Sequence, residues 1–371
     1  MFQLTNEQRK CFGITPVEAD WEFRQLPRSR DDYYYDTCAY IKGNKVYKII
    51  QVGDTIYREW TLNETLSDDG LYLLPKTAKG KPVKFTSAAL AKRPPVGMVL
   101  SYDRGDISVY NHTTGQVYWR SPIGFGCKTM ADFLPWLEKW CAETGEAELA
   151  DIEEFAARKR INVKYKEGDF FRFRIDRGLW GYGRLLLDYK KVRKENGEAI
   201  RFLFGPGLAI CVYHIATEDK NVSIETLLNL KRLPSQVIMD NALFYGEFEI
   251  IGNLPLTPEE EDYPVHYCEM PRDEGVYLQC GSFFKMLEGE KALYDHADMR
   301  AQTWEVKVPP SVLSECIKKR SNEPYWAWET ARGCHVFRID LRHPKFAAER
   351  KAVFAQFGLN EKDFIKKDVQ K

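Results

Sequence analysis

Short runs of alternating apolar residues, cut by two-residue turn signals, constrain the first third of this chain more than any other feature. Tyr40-Ile41-Lys42, Val46-Tyr47-Lys48-Ile49 and Thr55-Ile56-Tyr57-Arg58 are separated by Gly43-Asn44 and Gly53-Asp54. Both dipeptides suit tight hairpins, because glycine supplies the positive φ that a type II′ turn requires. A second group, Met98 to Tyr102, Ile107 to Tyr110 and Gln116 to Arg120, is divided by Asp103-Arg104-Gly105-Asp106 and Thr113-Thr114-Gly115. Residues 1 to 125 are therefore expected to form a β-rich meander domain. The basic stretch between the groups, Lys76 to Arg93, is spaced by Gly and Pro and reads as a solvated loop.

The period then changes to that of helices. Thr129 with Asp132 makes a capping box, and Phe133, Leu134, Leu137 and Trp140 share one face before Gly145. A second helix is expected from Glu146 to Arg160, acidic at its start and basic at its end, as the helix dipole favours. The pair, residues 126 to 160, reads as a helical connector. Strands return over 161 to 256. Val163, Tyr165, Phe171, Phe173 and Ile175 alternate with Lys164, Lys166, Arg172 and Arg174, with Gly168-Asp169 as the turn. Further strands at Leu185 to Tyr189, Ile200 to Phe204, Leu208 to Tyr213, Gln236 to Met239 and Glu247 to Ile251, with a short helix after Ser223, suggest a small curved sheet or partial barrel. Pro255 to Pro264 reads as an exposed linker. From 265 to 371 a mixed region is expected, with strands at Val276 to Cys280, Trp304 to Val308 and His335 to Ile339 and helices that include Lys345 to Phe357. The expected class is α+β, in several domains, since 371 residues exceed one ordinary core.

Composition narrows the function. The 54 Lys+Arg cancel the 54 Asp+Glu, which removes any whole-chain case for a polyanionic partner. Nine dispersed cysteines, an odd number without a CxxC pair, suit reduced thiols rather than a disulfide framework or a zinc site. No basic region followed by an apolar run opens the chain, and no apolar window is long enough for a membrane helix, so a cytoplasmic location without membrane attachment is expected.

Motifs of catalysis fail in turn. Gly124-Phe125-Gly126 lacks the third glycine of a dinucleotide fingerprint, and no glycine-rich loop ends in Gly-Lys-Ser/Thr. No Gly-x-Ser-x-Gly elbow exists, and the six histidines are scattered. His266 with Cys268 and Glu269, and His296 with Asp298, lack the ligand spacing of known metal sites, so no metal or cofactor is expected. Trp180-Gly181-Tyr182-Gly183-Arg184 leads into a strand, whereas phosphate-binding loops lead into a helix. One local charge feature survives: Val163 to Lys194 holds ten basic residues against four acidic, a balance of +6. Aromatics interleave with these charges, as in single-strand nucleic-acid platforms. Strand alternation nevertheless puts Phe171 and Phe173 on the face opposite Arg172 and Arg174, so nucleic acid is not the expected partner.

The run Val163-Lys164-Tyr165-Lys166-Glu167-Gly168-Asp169-Phe170-Phe171-Arg172-Phe173, followed by Trp180-Gly181-Tyr182-Gly183-Arg184-Leu185-Leu186, resembles the immunity protein 26 family, which is associated with bacterial polymorphic toxin systems. The resemblance covers roughly residues 160 to 256 and implies a cytoplasmic inhibitor that neutralises a cognate toxin by binding it, with no catalytic residues. Expected contacts are the acids Glu259, Glu260, Glu261 and Asp262, which would steer a basic toxin, and Trp180 and Tyr182 as apolar anchors. The alternatives are a nucleic-acid module on the 163 to 194 strip, or an enzyme whose cleft is lined by aromatics such as Tyr325-Trp326-Ala327-Trp328.

Overall fold

A computed structural model describes residues 1–27, 34–121, 125–196, 207–269, 275–294, 341–342 and 344–364. The class is α+β: the described strands form three antiparallel sheets. The chain divides into two compact units, Met1–Arg160 and Ile161–Lys371. The strands expected at Ile200 to Phe204, Trp304 to Val308 and His335 to Ile339, and the aromatic run at Tyr325 to Trp328, lie outside the described residues.

In the first unit a short helix α1 (Asn6–Lys10) precedes nine strands, β1 (Glu22–Gln25), β2 (Asp36–Lys42), β3 (Lys45–Gly53), β4 (Ile56–Leu66), β5 (Tyr72–Leu74), β6 (Val83–Lys84), β7 (Val96–Asp103), β8 (Asp106–Asn111) and β9 (Gln116–Arg120). They form one meander of order β1-β2-β3-β4-β7-β8-β9, with β5 and β6 branching from β4. Gly43 takes the positive φ of 60° that its turn needs. The next turn is displaced by one residue from its expected place: Gly53 pairs with Ile56, so Asp54 and Thr55 form the loop. The basic stretch is interrupted by β6 and by α2 (Ser87–Leu90), but Lys76, Lys79, Lys81, Lys84 and Lys92 are exposed, as a solvated segment requires.

Helices α3 (Met130–Ala142) and α4 (Glu146–Ala157) are not a connector. Their apolar residues Phe133, Leu137, Trp140, Ile152 and Phe155 complete a core with Tyr57, Leu100, Tyr102 and Val109 of the sheet. Phe133 stacks on Tyr102 at 4.8 Å, and the Trp140 indole N–H donates to the Cys11 carbonyl at 3.0 Å. An amphipathic helix hides its apolar stripe on the nearest sheet face, and here that face belongs to the first unit. The α3 start is as expected, with the Asp132 carboxylate accepting the Thr129 backbone N–H at 2.9 Å.

The second unit contains β10 (Asp169–Asp176), β11 (Leu179–Asp188), α5 (Tyr189–Asn196), β12 (Gly207–Val212), α6 (Ile224–Leu228), β13 (Gln236–Met239), α7 (Asn241–Phe244) and β14 (Phe248–Asn253). These strands form an open sheet of order β13-β12-β11-β10-β14, bent by register shifts in three of its four pairings. A curved sheet is thus present, and no closed barrel forms among the described residues. A second sheet follows, of β15 (Val265–Glu269), β16 (Gly275–Cys280) and β17 (Phe283–Glu288), with helix α8 (Ala347–Gln356) packed on it through Val353 and Phe354.

The expected strand at Val163 to Lys166 is absent. Among the described residues that segment pairs with no strand, and Tyr165 instead lies against the sheet core, its ring edge-on to Phe244 at 6.1 Å. The turn is ordered by Asp169, which is buried, accepts the Lys166 N–H at 2.8 Å and receives the Asn253 amide at 2.9 Å.

Candidate partner-binding surface

Strand alternation and the antiparallel register of β10 with β11 decide what each face of the five-stranded sheet carries. Phe171 lies opposite Gly183 and Phe173 opposite Gly181, while Phe170, Arg172 and Arg174 lie opposite Arg184, Tyr182 and Trp180. The Trp-Gly-Tyr-Gly-Arg run therefore has two jobs. On the first face its glycines leave space for rings: a Cβ on Gly181 would stand 2.6 Å from the Phe173 ring, and one on Gly183 2.3 Å from the Phe171 ring and 2.6 Å from the Cys211 carbonyl. Phe171 in turn stacks on Phe248 at 4.3 Å, building the core closed by Leu233 and α7.

On the second face the same run presents Trp180, Tyr182 and Arg184. Trp180 is 9% exposed and Tyr182 fully buried, both packed in a core with Phe170, Tyr213 and Leu227. Tyr182 tethers the chain after β12: its hydroxyl donates to the Asp219 carbonyl at 2.7 Å and accepts the Val222 N–H at 3.4 Å. Burial pushes the Tyr182 hydroxyl up from its ordinary pKa of 10.0, so it remains a donor. Trp180 and Thr217 exchange backbone hydrogen bonds at 2.7 and 3.1 Å. Arg172 donates to both Glu249 carboxylate oxygens at 2.8 and 2.6 Å, to the Lys220 carbonyl at 2.7 Å and to Asn221 Oδ1 at 3.3 Å.

Three cations gather on the Trp180 ring: Arg174 at 4.7 Å, Lys220 at 4.9 Å and Arg172 at 5.9 Å from its centroid. The expectation that charge and aromatic groups would occupy opposite faces holds for Phe171 and Phe173 and fails for Trp180. The basic strip is otherwise divided. Arg184 is buried against Glu260, Lys190 pairs with Asp240, and Lys164, Lys166, Lys191 and Lys194 are exposed.

The acidic run is not an exposed linker. Glu260 is buried and pairs with Arg184 and, at 3.8 Å, with Arg232. Arg184 also donates to the carbonyls of Leu254 at 2.7 Å and Pro255 at 3.0 Å. Asp262 accepts from Arg342 at 2.9 Å and from the Ser235 N–H at 3.1 Å. Glu259 and Glu261 are exposed. The alternation of outward and inward acids fastens this segment to the sheet, because a buried arginine needs a counter-charge. Of the six residues expected to meet a partner, four are committed inside the unit: Trp180, Tyr182, Glu260 and Asp262. Lys220, Glu249, Arg232 and Arg342 carry no sequence motif, Arg172 stands in the sequence only as part of the basic strip, and the Arg172–Glu249 contact spans 77 positions without a local signal.

The His266 cluster also turns inward. Burial, together with Arg342, pushes His266 down to about 3, and Cys268 belongs to the core between the two sheets of the unit. Among the described residues no group of three or more His, Cys, Asp or Glu side chains stands close enough to hold a metal ion, and no helix is long and apolar enough to cross a membrane.

Residues 166–270, from the turn before β10 to the end of β15, match the model of the family described as Immunity protein 26. The resemblance seen in the Gly-Asp turn and the Trp-Gly-Tyr-Gly-Arg run is therefore shown, and it extends further than expected, through the acidic segment to β15. The matched segment lies within the second unit and covers less than a third of the chain. No curated protein and no solved structure shows a significant match to the chain.

Proposed function

We propose that this chain is a cytoplasmic bacterial immunity protein that binds a cognate toxin of a polymorphic toxin system and neutralises it by occupancy, without catalysis. The observation that carries this reading is the match of residues 166–270 to the Immunity protein 26 family. The matched segment holds the whole five-stranded sheet and the acidic strap bound to it, a framework suited to presenting a surface. The residues that carry the resemblance serve packing: glycines under phenylalanine rings and an arginine against a buried glutamate are structural roles, and neither needs a substrate. Glu259 and Glu261 are exposed and can face a partner, whereas Trp180 and Tyr182 support the surface from within.

The test is survival. Cells expressing the toxin encoded beside this gene are expected to grow when the chain is co-expressed and to die without it. Death in both cases would remove the reading.

A further inference from the structure

We propose that the toxin docks an acidic segment onto the cations gathered around Trp180, with Lys220 and Arg174 as contact groups and Arg172 as the residue that positions them; this rests on the toxin-binding reading above. Three basic groups share one indole, whose ring attracts each of them, and Glu249 balances the charge of Arg172 alone at 2.6 Å. Arg172 makes four hydrogen bonds to Glu249, Lys220 and Asn221, so it organises the patch rather than reaching outward. Lys220 differs: among the described residues its ammonium has no carboxylate partner, and its contact is the face of Trp180 at 4.9 Å.

The patch is built before any partner arrives. Arg172 fixes the Lys220 backbone, Tyr182 fixes Asp219 and Val222, and the Asn221 N–H donates to Asp219 Oδ1 at 2.7 Å. Ordering that is already complete in the free protein is not charged to binding. Arg174 and Lys220 are partly exposed, so a carboxylate can approach them.

The same geometry disfavours nucleic acid. Single-strand platforms stack bases on open aromatic faces. Here Phe170 and Tyr182 are fully buried, and Trp180 is 9% exposed with cations over its ring. The exposed acids Glu218 and Asp219 also border the patch, leaving a narrow cationic area. It fits one or two carboxylates of a folded protein better than a continuous phosphate backbone.

The probe is the purified toxin encoded by the adjacent gene, titrated with wild type, Lys220→Glu, Lys220→Arg and Lys220→Glu/Arg174→Glu, alongside a twenty-nucleotide oligothymidylate. Lys220→Glu is expected to weaken toxin binding by about tenfold or more and to flatten its salt dependence, with a larger loss in the double variant and near wild-type affinity for Lys220→Arg. Because the Lys220 side chain is partly exposed and makes no hydrogen bond among the described residues, the single variant should melt like wild type. Lys220→Glu that melts and binds like wild type would overturn the docking site and leave the immunity reading intact. Wild type that fails to bind the toxin would overturn both, and tighter binding of the oligonucleotide than of the toxin would assign the patch to nucleic acid instead.

Discussion

Each unit buries a glutamate among basic side chains, but the two arrangements are built in opposite senses. In the first unit the acid belongs to the sheet: Glu59 on β4 accepts from Arg9 at 2.7 Å, from the Tyr57 hydroxyl at 2.6 Å, and stands 2.8 Å from the Lys48 ammonium. All three charged side chains are at most 4% exposed. In the second unit the cation belongs to the sheet: Arg184 on β11 meets Glu260, which arrives on a short 3-10 turn (Pro258–Glu260) and keeps 11% exposure. The first centre fastens helix α1 to a sheet interior; the second fastens a strap whose alternate residues, Glu259 and Glu261, stay outside. Glu59 on its strand is committed to one face by alternation, while Glu260 is committed by a local cap, accepting the Thr257 N–H at 2.9 Å, and by a distant arginine.

The largest effect should come from breaking the first centre. Glu59→Ala leaves Arg9 and Lys48 without their shared counter-ion and is expected to cost about 3–5 kcal/mol in denaturant unfolding. Its pH dependence has a definite sign. Burial alone would raise the Glu59 carboxyl, but Lys48 and then Arg9 outweigh it and hold it below the ordinary 4.5. The stabilisation it gives is therefore complete at neutral pH and is lost as pH falls below 4.5 through that depressed value. A melting temperature that drops in that range for wild type, and drops less for Glu59→Ala, is the expected pattern.

Gly183→Ala comes next, at about 1–3 kcal/mol, because the added methyl meets the Phe171 ring and a backbone carbonyl that cannot step aside. Urea midpoints would measure it, and an unchanged midpoint would mean that the glycine is not there for the ring. Glu260→Gln should cost a comparable or smaller amount, about 1–3 kcal/mol, since Arg184 keeps the Leu254 and Pro255 carbonyls. Glu259→Ser and Glu261→Ser should leave the melting temperature at the wild-type value. Equal effects at all three positions would erase the distinction between the inward and outward acids of the strap.

Local pattern carried most of the architecture into the sequence. The hairpins of the first unit, the Thr129 cap, the open curved sheet and the Ser223 helix all rest on short-range rules, and Ser223 Oγ does accept the Thr226 N–H at 3.1 Å. Val163 to Lys166 misled because an extended segment packing one tyrosine alternates just as a strand does. The partner surface was less legible. Trp180 was read as an outward anchor, but its exposure is set by Arg172, Arg174 and the loop at Lys220, which come from different stretches of chain. Four consecutive acids look solvated by composition; the Thr257 N–H on Glu260 at 2.9 Å is a local signal of which turn inward, and Arg184, Arg232 and Arg342 come from elsewhere in the chain.

Neutralisation by occupancy is tested most directly by titrating the purified chain into a fixed amount of the toxin encoded beside it and recording residual toxin activity. The prediction is a linear fall to zero that ends at a fixed molar ratio and does not progress with further incubation. Toxin activity that persists at saturating chain, or that disappears with time at far less than stoichiometric chain, would contradict it.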